Sequence, residues 1–202
     1  MVILYPVKAF DSTSEKILTF NNTGNQAVKN ELIIKNNVDN TVIYQQTQIT
    51  MQLKHIIPPN TLLNGNTYNA VIYTYNANDV KSPVSNTVIF KCFSTPTWSF
   101  SNLIPNQILQ NSFYQVQLTY SQTEGELLNS YQIALYNSSQ SLISKSGVLY
   151  NTESLAYNIS NLEDNTQYYI RAIGETVNGM SLDTGYIPVS VEYISPVVYS
   201  LV

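Results

Sequence analysis

One short pattern occurs twice, and it limits what the chain can become. Leu62-Leu63-Asn64-Gly65-Asn66-Thr67-Tyr68 leads into an alternating segment, Asn69 to Tyr75, and Leu162-Glu163-Asp164-Asn165-Thr166-Gln167-Tyr168 leads into Tyr169 to Glu175. Leu62 and Leu162 stand 100 residues apart, as do Tyr68 and Tyr168, so one module is used twice. The order leucine, polar turn, tyrosine reads as a corner where the chain crosses between the sheets of a β-sandwich. The leucine plugs the core, and the tyrosine ring packs inward while its hydroxyl reaches back to backbone. A buried phenol without that partner would cost roughly 1–3 kcal/mol, so Leu62, Tyr68, Leu162 and Tyr168 are expected to be the structural corners.

The rest of the sequence keeps the same period. Ile17-Leu18-Thr19-Phe20 aligns with Gln117-Leu118-Thr119-Tyr120 at the offset of 100, and Leu32 and Ile34 with Ile133 and Leu135 at 101. Short runs of β-branched and aromatic residues, broken by Asn, Gly, Ser and Pro, predict an all-β fold of two seven-stranded immunoglobulin-like sandwiches. In the first module the expected strands lie near residues 3–9, 16–20, 28–34, 41–45, 47–53, 67–75 and 86–93. In the second they lie near 97–101, 114–120, 129–136, 140–144, 154–159, 166–175 and 185–193. The expected domains are 1–95 and 96–193, joined by Ser94-Thr95-Pro96-Thr97 as a stiff rod, followed by an apolar tail, 194–202.

Charge excludes several functions. Only 11% of the 202 residues are charged, against about 25% in an ordinary globular chain, and 9 Lys+Arg face 13 Asp+Glu. A net charge of −4 predicts neither a nucleic-acid nor a membrane partner. The opening Met1-Val2-Ile3-Leu4-Tyr5-Pro6 has no signal-peptide pattern, and one cysteine, Cys92, permits no internal disulfide.

The corners resemble those of fibronectin type III domains, where a Leu-x-Pro-Gly-Thr-x-Tyr sequence feeds an alternating strand. Leu162 to Tyr168 keeps that spacing with Asp164-Asn165 in place of Pro-Gly; Leu62 to Tyr68 moves the threonine to Thr67. Phe20 and Tyr120 stand where the family carries a core tryptophan. Val88 to Phe100 also resembles a segment of tandem type III modules in tailed-bacteriophage structural proteins, as do Ala9-Phe10-Asp11 and Asn30 to Tyr44. That resemblance implies a virion structural protein of a tail, baseplate or collar appendage, made in the host cytoplasm.

Residues that could carry chemistry are sparse. His55, the single histidine, is expected at the surface, and Cys92 is expected to be a packed thiol rather than a nucleophile. Glu124 and Glu126, and Glu163 and Asp164, fall in turns where carboxylates are ordinarily solvated. Asp39, Asp79 and Asp183 are isolated, so no catalytic, metal or cofactor site is expected.

Period-2 alternation turns Tyr68, Ala70, Ile72 and Thr74 inward, leaving Val71, Tyr73 and Tyr75 on an outer face suited to a partner. The tail carries Val197, Val198, Tyr199 and Leu201, which are expected to add as a strand to, or pack between, neighbouring subunits. The sequence thus points to a non-enzymatic spacer and docking protein of a virion appendage. Its expected partners are other virion proteins and further copies of itself. The alternative is an adhesion module that binds a bacterial surface glycan through exposed tyrosines. An accessory region of a larger hydrolase is a third.

Overall fold

In the computed structural model, residues 2–150 and 154–194 are described. The candidate tail residues Val197, Val198, Tyr199 and Leu201 lie outside them. Every regular element is a β-strand, and the chain separates into two compact units. The first comprises Met1–Thr95 with Thr123–Glu126 and Asn178–Met180; the second comprises Pro96–Gln122, Leu127–Val177 and Ser181–Val202.

The first unit contains β1 (Val2–Leu4), β2 (Lys16–Asn22), β3 (Lys29–Asn36), β4 (Val42–Gln48), β5 (Lys54–Ile57), β6 (Thr67–Tyr75) and β7 (Val88–Lys91). They form two antiparallel sheets, β1-β2-β5 and β4-β3-β6-β7. Strict alternation holds β6 in place: Tyr68, Ala70, Ile72 and Thr74 are buried and the residues between them are half-buried. Tyr68, Ala70 and Ile72 build the core between the sheets with Leu18, Phe20, Leu32, Ile34 and Phe90. Each such side chain withdrawn from water contributes about 1.5–3 kcal/mol.

The second unit contains β8 (Thr97–Phe100), β9 (Gln107–Leu109), β10 (Phe113–Ser121), β11 (Leu128–Asn137), β12 (Leu142–Lys145), β13 (Leu149–Tyr150), β14 (Ala156–Ser160), β15 (Thr166–Thr176), β16 (Ser181–Asp183) and β17 (Ile187–Val191). One sheet is β14-β10-β8 and the other β12-β11-β15-β17-β9. Seven strands match the first unit in order, and three short ones are added. Of these, β13 lies on β11, β16 lies on β15, and β9 runs parallel to β17. Trp98 and Tyr131 pack edge to face in this core at 5.8 Å, and the indole N–H donates to the Ala172 carbonyl at 3.2 Å.

The two corners are built alike. Tyr68 Oη accepts from the Leu63 N–H at 2.8 Å and donates to the Leu63 carbonyl at 3.2 Å. Tyr168 Oη accepts from the Glu163 N–H at 3.0 Å. Leu62 and Leu162 belong to the same cores as the two tyrosines, 2% and 1% exposed. Both turns need a left-handed residue, and Gly65 (φ 83) and Asn165 (φ 54) supply it. Asparagine tolerates this region better than other side chains, which accounts for Asp164-Asn165 where a Pro-Gly pair could stand. Left-handed residues also recur at Asn40 and Gln140, and at Asp79 and Gly179, so backbone turns keep the 100-residue period.

Three strand expectations need correction. The strand expected over 3–9 ends at Leu4, because Pro6 supplies no ladder donor. The strands expected over 41–45 and 47–53 are one, Val42–Gln48, since no turn residue separates them. Residues 49–53 instead cross towards the other sheet, where Lys54–Ile57 forms a strand that alternation alone did not single out. The buried Asn30 amide holds that crossing, donating towards the carbonyls of Thr50 and Gln52 at 3.4 and 3.3 Å.

Tyr68→Phe and Tyr168→Phe should each destabilise the unit concerned by about 1–3 kcal/mol, because each removes the hydroxyl that ties a buried ring to the corner backbone. Denaturant unfolding checks this, with Tyr136→Phe as the near-silent control.

Candidate functional site

The outer face of β4-β3-β6-β7 gathers a buried carboxylate and its donors. Glu31, on the middle strand β3, is only 7% exposed. Its carboxylate accepts from Gln45 Nε2 at 2.6 Å, Tyr75 Oη at 2.8 Å and Lys81 Nζ at 2.8 Å. The Lys81 ammonium, with Tyr75 and Gln45, holds the carboxyl down at about 2 against the effect of burial.

Tyr73 and Tyr75 stand on this face, half-buried and flanked by cations. Lys81 Nζ lies 3.8 Å from the Tyr73 ring centre, and Lys29 Nζ lies 4.1 Å from that of Tyr75. Lys29 also pairs with Asp79, so the 76–81 turn is tied to the sheet at two points. Placing an ammonium over a tyrosine face contributes about 0.5–1 kcal/mol at a partly exposed site.

The second unit carries a different cluster on the corresponding strand. Arg171 on β15 forms a two-pronged pair with Asp183, with Nε to Oδ1 at 2.8 Å, and its guanidinium lies 4.9 Å from the Tyr186 ring centre. Tyr136 and Tyr169 meet Tyr186 edge to face at 5.0 and 6.0 Å. Next to it, Val148 and Ile173 line a shallow groove with Gln132 and Glu175.

The remaining chemistry-bearing residues are used in holding the chain together. Asp11 accepts from Thr13, from the Asn64 amide at 2.9 Å and from both N–H and hydroxyl of Thr95 at 2.8 Å. Burial pushes its carboxyl upward, but these bonds outweigh it and keep the group well below the usual range. Cys92 is wholly buried in the first core, and burial pushes its thiol up to about 12, so it is no nucleophile at neutral pH.

Two expectations are overturned. Glu126 is not in solvent: it is 4% exposed, with its carboxylate accepting from the backbone and side-chain N–H groups of Asn178 at 2.6 Å. Nor is His55 a surface residue. It is fully buried, because β5 turns His55 and Ile57 inward while Lys54 and Ile56 face out. Its Nδ1 meets Gln48 Nε2 at 3.1 Å and Gln46 Oε1 at 3.2 Å, both reaching in from β4. Burial lowers its pKa to about 4.

Glu163 and Asp164 stay exposed in the corner turn, where Asp164 Oδ1 accepts from the N–H of Tyr193 at 2.7 Å. Among the described residues no cluster of three or more His, Cys, Asp or Glu is placed to hold a metal ion. No helix among them is long and apolar enough to cross a membrane.

No protein-family model matches the chain, and no curated protein matches it. Solved structures do. The fibronectin(III)-like modules of Clostridium thermocellum CbhA superpose with a TM-score of 0.53 at 14% identity, covering 96% of this chain and 94% of that one. The chicken CNTN1 FN1-FN3 domains give 0.51 at 13%, covering 94% of this chain and 66% of that one. At such identity the likeness is one of fold, and the chain is all-β and fibronectin type III-like.

His55 and Glu31 titrate in separate windows. His55 is depressed in the folded state, so its contribution is complete above its ordinary pKa of 6.5 and is lost as pH falls towards about 4. The slope approaches about 1.4 kcal/mol per pH unit. Glu31 acts lower, its contribution lost from about 4.5 towards about 2. Unfolding of the first unit measured against pH should show both, with His55→Gln removing the upper window and Glu31→Gln reducing the lower one, to which Asp11 also contributes.

Proposed function

We propose that this chain is a non-enzymatic structural component of a phage virion appendage, acting as a spacer and a protein-docking module. The observation that carries the structural reading is the commitment of its chemically capable side chains to its own architecture. Glu31, Asp11 and Glu126 each accept several hydrogen bonds that join loops or sheet faces. The virion assignment rests on the resemblance of Val88 to Phe100 to phage structural modules. Localisation in the particle, with other virion proteins as partners, follows from that resemblance.

The same face argues against the glycan-binding alternative. Sugar stacking needs an open aromatic surface, and the Tyr73 and Tyr75 rings already carry Lys81 and Lys29 at 3.8 and 4.1 Å. A protein partner is the better match for half-buried tyrosines rimmed by paired charges. The tail residues Val197, Val198, Tyr199 and Leu201 are the segment proposed to join a neighbouring virion protein.

Immunogold imaging of purified particles checks this reading. Label should decorate one appendage, and deleting residues 197–202 should abolish incorporation while the purified chain stays folded. Particles free of the protein, or saturable glycan binding by the isolated chain, would overturn it.

A further inference from the structure

We propose that β4 is an interaction edge at which a second copy of this chain pairs, antiparallel and about a two-fold axis, extending the β4-β3-β6-β7 sheet across the two molecules. This deepens the docking role proposed above and rests on that role, but it names a surface and a partner that the tail does not supply.

The direction of the backbone on β4 follows from its neighbours. Ile72 and Thr74 send their N–H groups to the hydroxyls of Ser85 and Ser82, and their carbonyls accept from the N–H groups of those same serines. Hydrogen bonding alternates along an antiparallel strand, so β6 bonds β3 through Val71, Tyr73 and Tyr75. On β3, Asn30, Leu32 and Ile34 then turn to β4, where they face Gln48, Gln46 and Tyr44. Gln45 and Thr47 are left with N–H and C=O directed away from the sheet.

Among the described residues nothing blunts this edge in the usual ways. Natural edges are short, charged, proline-bearing or covered. In β1 the Leu4 N–H and carbonyl are both taken by the Asn86 amide, at 2.8 and 3.0 Å. The edge strands β5, β7 and β12 have four residues each and carry Lys54, Lys91 and Lys145. β14 is uncharged but has five residues. With seven residues β4 is the longest edge among the described strands, and from Thr41 to Leu53 there is no charge, proline or glycine. Exposed apolar side chains border it, with Val42 48%, Ile49 89% and Met51 64% exposed.

The partner follows from the chemistry of the edge. Two-fold pairing centred on Gln46 sets Gln45 of each copy opposite Thr47 of the other, so the free N–H and C=O groups of both residues are satisfied. Any charge on such an edge would approach its own mate, and this one has none. Glutamine and threonine side chains both donate and accept, so they complement themselves. A charged partner strand would gain no counter-charge here. One strand pair buries less than the roughly 1,200 Å² of a stable interface, so the dimer is weak alone and assembles where copies are held close together.

Sedimentation of the full chain from micromolar to millimolar concentration tests this. The expected result is a reversible monomer–dimer equilibrium that Thr47→Pro weakens at least tenfold. That substitution deletes an outward N–H that the molecule's own ladder does not use. Thr47→Lys serves as a second variant that keeps the backbone donor, and it should also weaken the dimer, while unfolding midpoints show both variants folded. Deleting residues 197–202 should leave the dimer unchanged. Dimerisation of both variants at wild-type strength, or loss of the dimer on tail deletion, would overturn the β4 edge alone. A wild type that is monomeric throughout would overturn self-pairing altogether, whereas the particle imaging bears separately on the virion role.

Discussion

A phenol hydroxyl that closes on the backbone five residues before it sets the geometry of each sandwich. Tyr68 Oη both accepts from and donates to Leu63, which fixes the loop between β5 and β6 against the start of β6. With that crossing fixed, β6 presents Tyr68, Ala70, Ile72 and Thr74 inward, and β3 and β7 take their registers from it on either side. The second copy obeys the same constraint with different turn residues. What has to be kept is one inward tyrosine, one leucine in the same core and one left-handed position.

Much of this was legible from residue order because it depends on local rules. Period 2 identified the inward residues of β6 and β15, and the repeated corner located both crossings. The polar network was not legible, since its members meet only across the sheet. Glu31, Gln45, Tyr75 and Lys81 come from β3, β4, β6 and the turn after it, and no spacing joins them. His55 was misjudged because a lone histidine beside a lysine has the composition of a surface. Its burial is set by the pleat of β5 and by two glutamines arriving from β4. The unexpected burial of Glu126 has the same origin, as its donor Asn178 lies 52 residues away.

The low charge content shapes the interior as well as the surface. With few ions available, amides do what salt bridges do elsewhere: Asn86 seals β1, Asn64 joins Asp11 to the corner loop, and Asn30 holds the crossing between β4 and β5. Hydrogen bonds between neutral groups are little screened by salt, so the Asn86 and Asn30 joints should depend weakly on ionic strength, whereas the Asn64 joint ends on the Asp11 carboxylate. The Arg171–Asp183, Lys81–Glu31 and Lys29–Asp79 pairs are places where charge does enter.

The chain contains one cysteine and one tryptophan, and they fall in different units. Cys92 is sealed in the first core and Trp98 is packed against Tyr120 and Tyr131 in the second. Each unit therefore carries an intrinsic reporter that the other lacks. Thiol labelling follows the opening of one, and indole emission follows the opening of the other. The order in which they come apart, and whether opening one hastens the other, can be followed in the unaltered sequence without adding a probe.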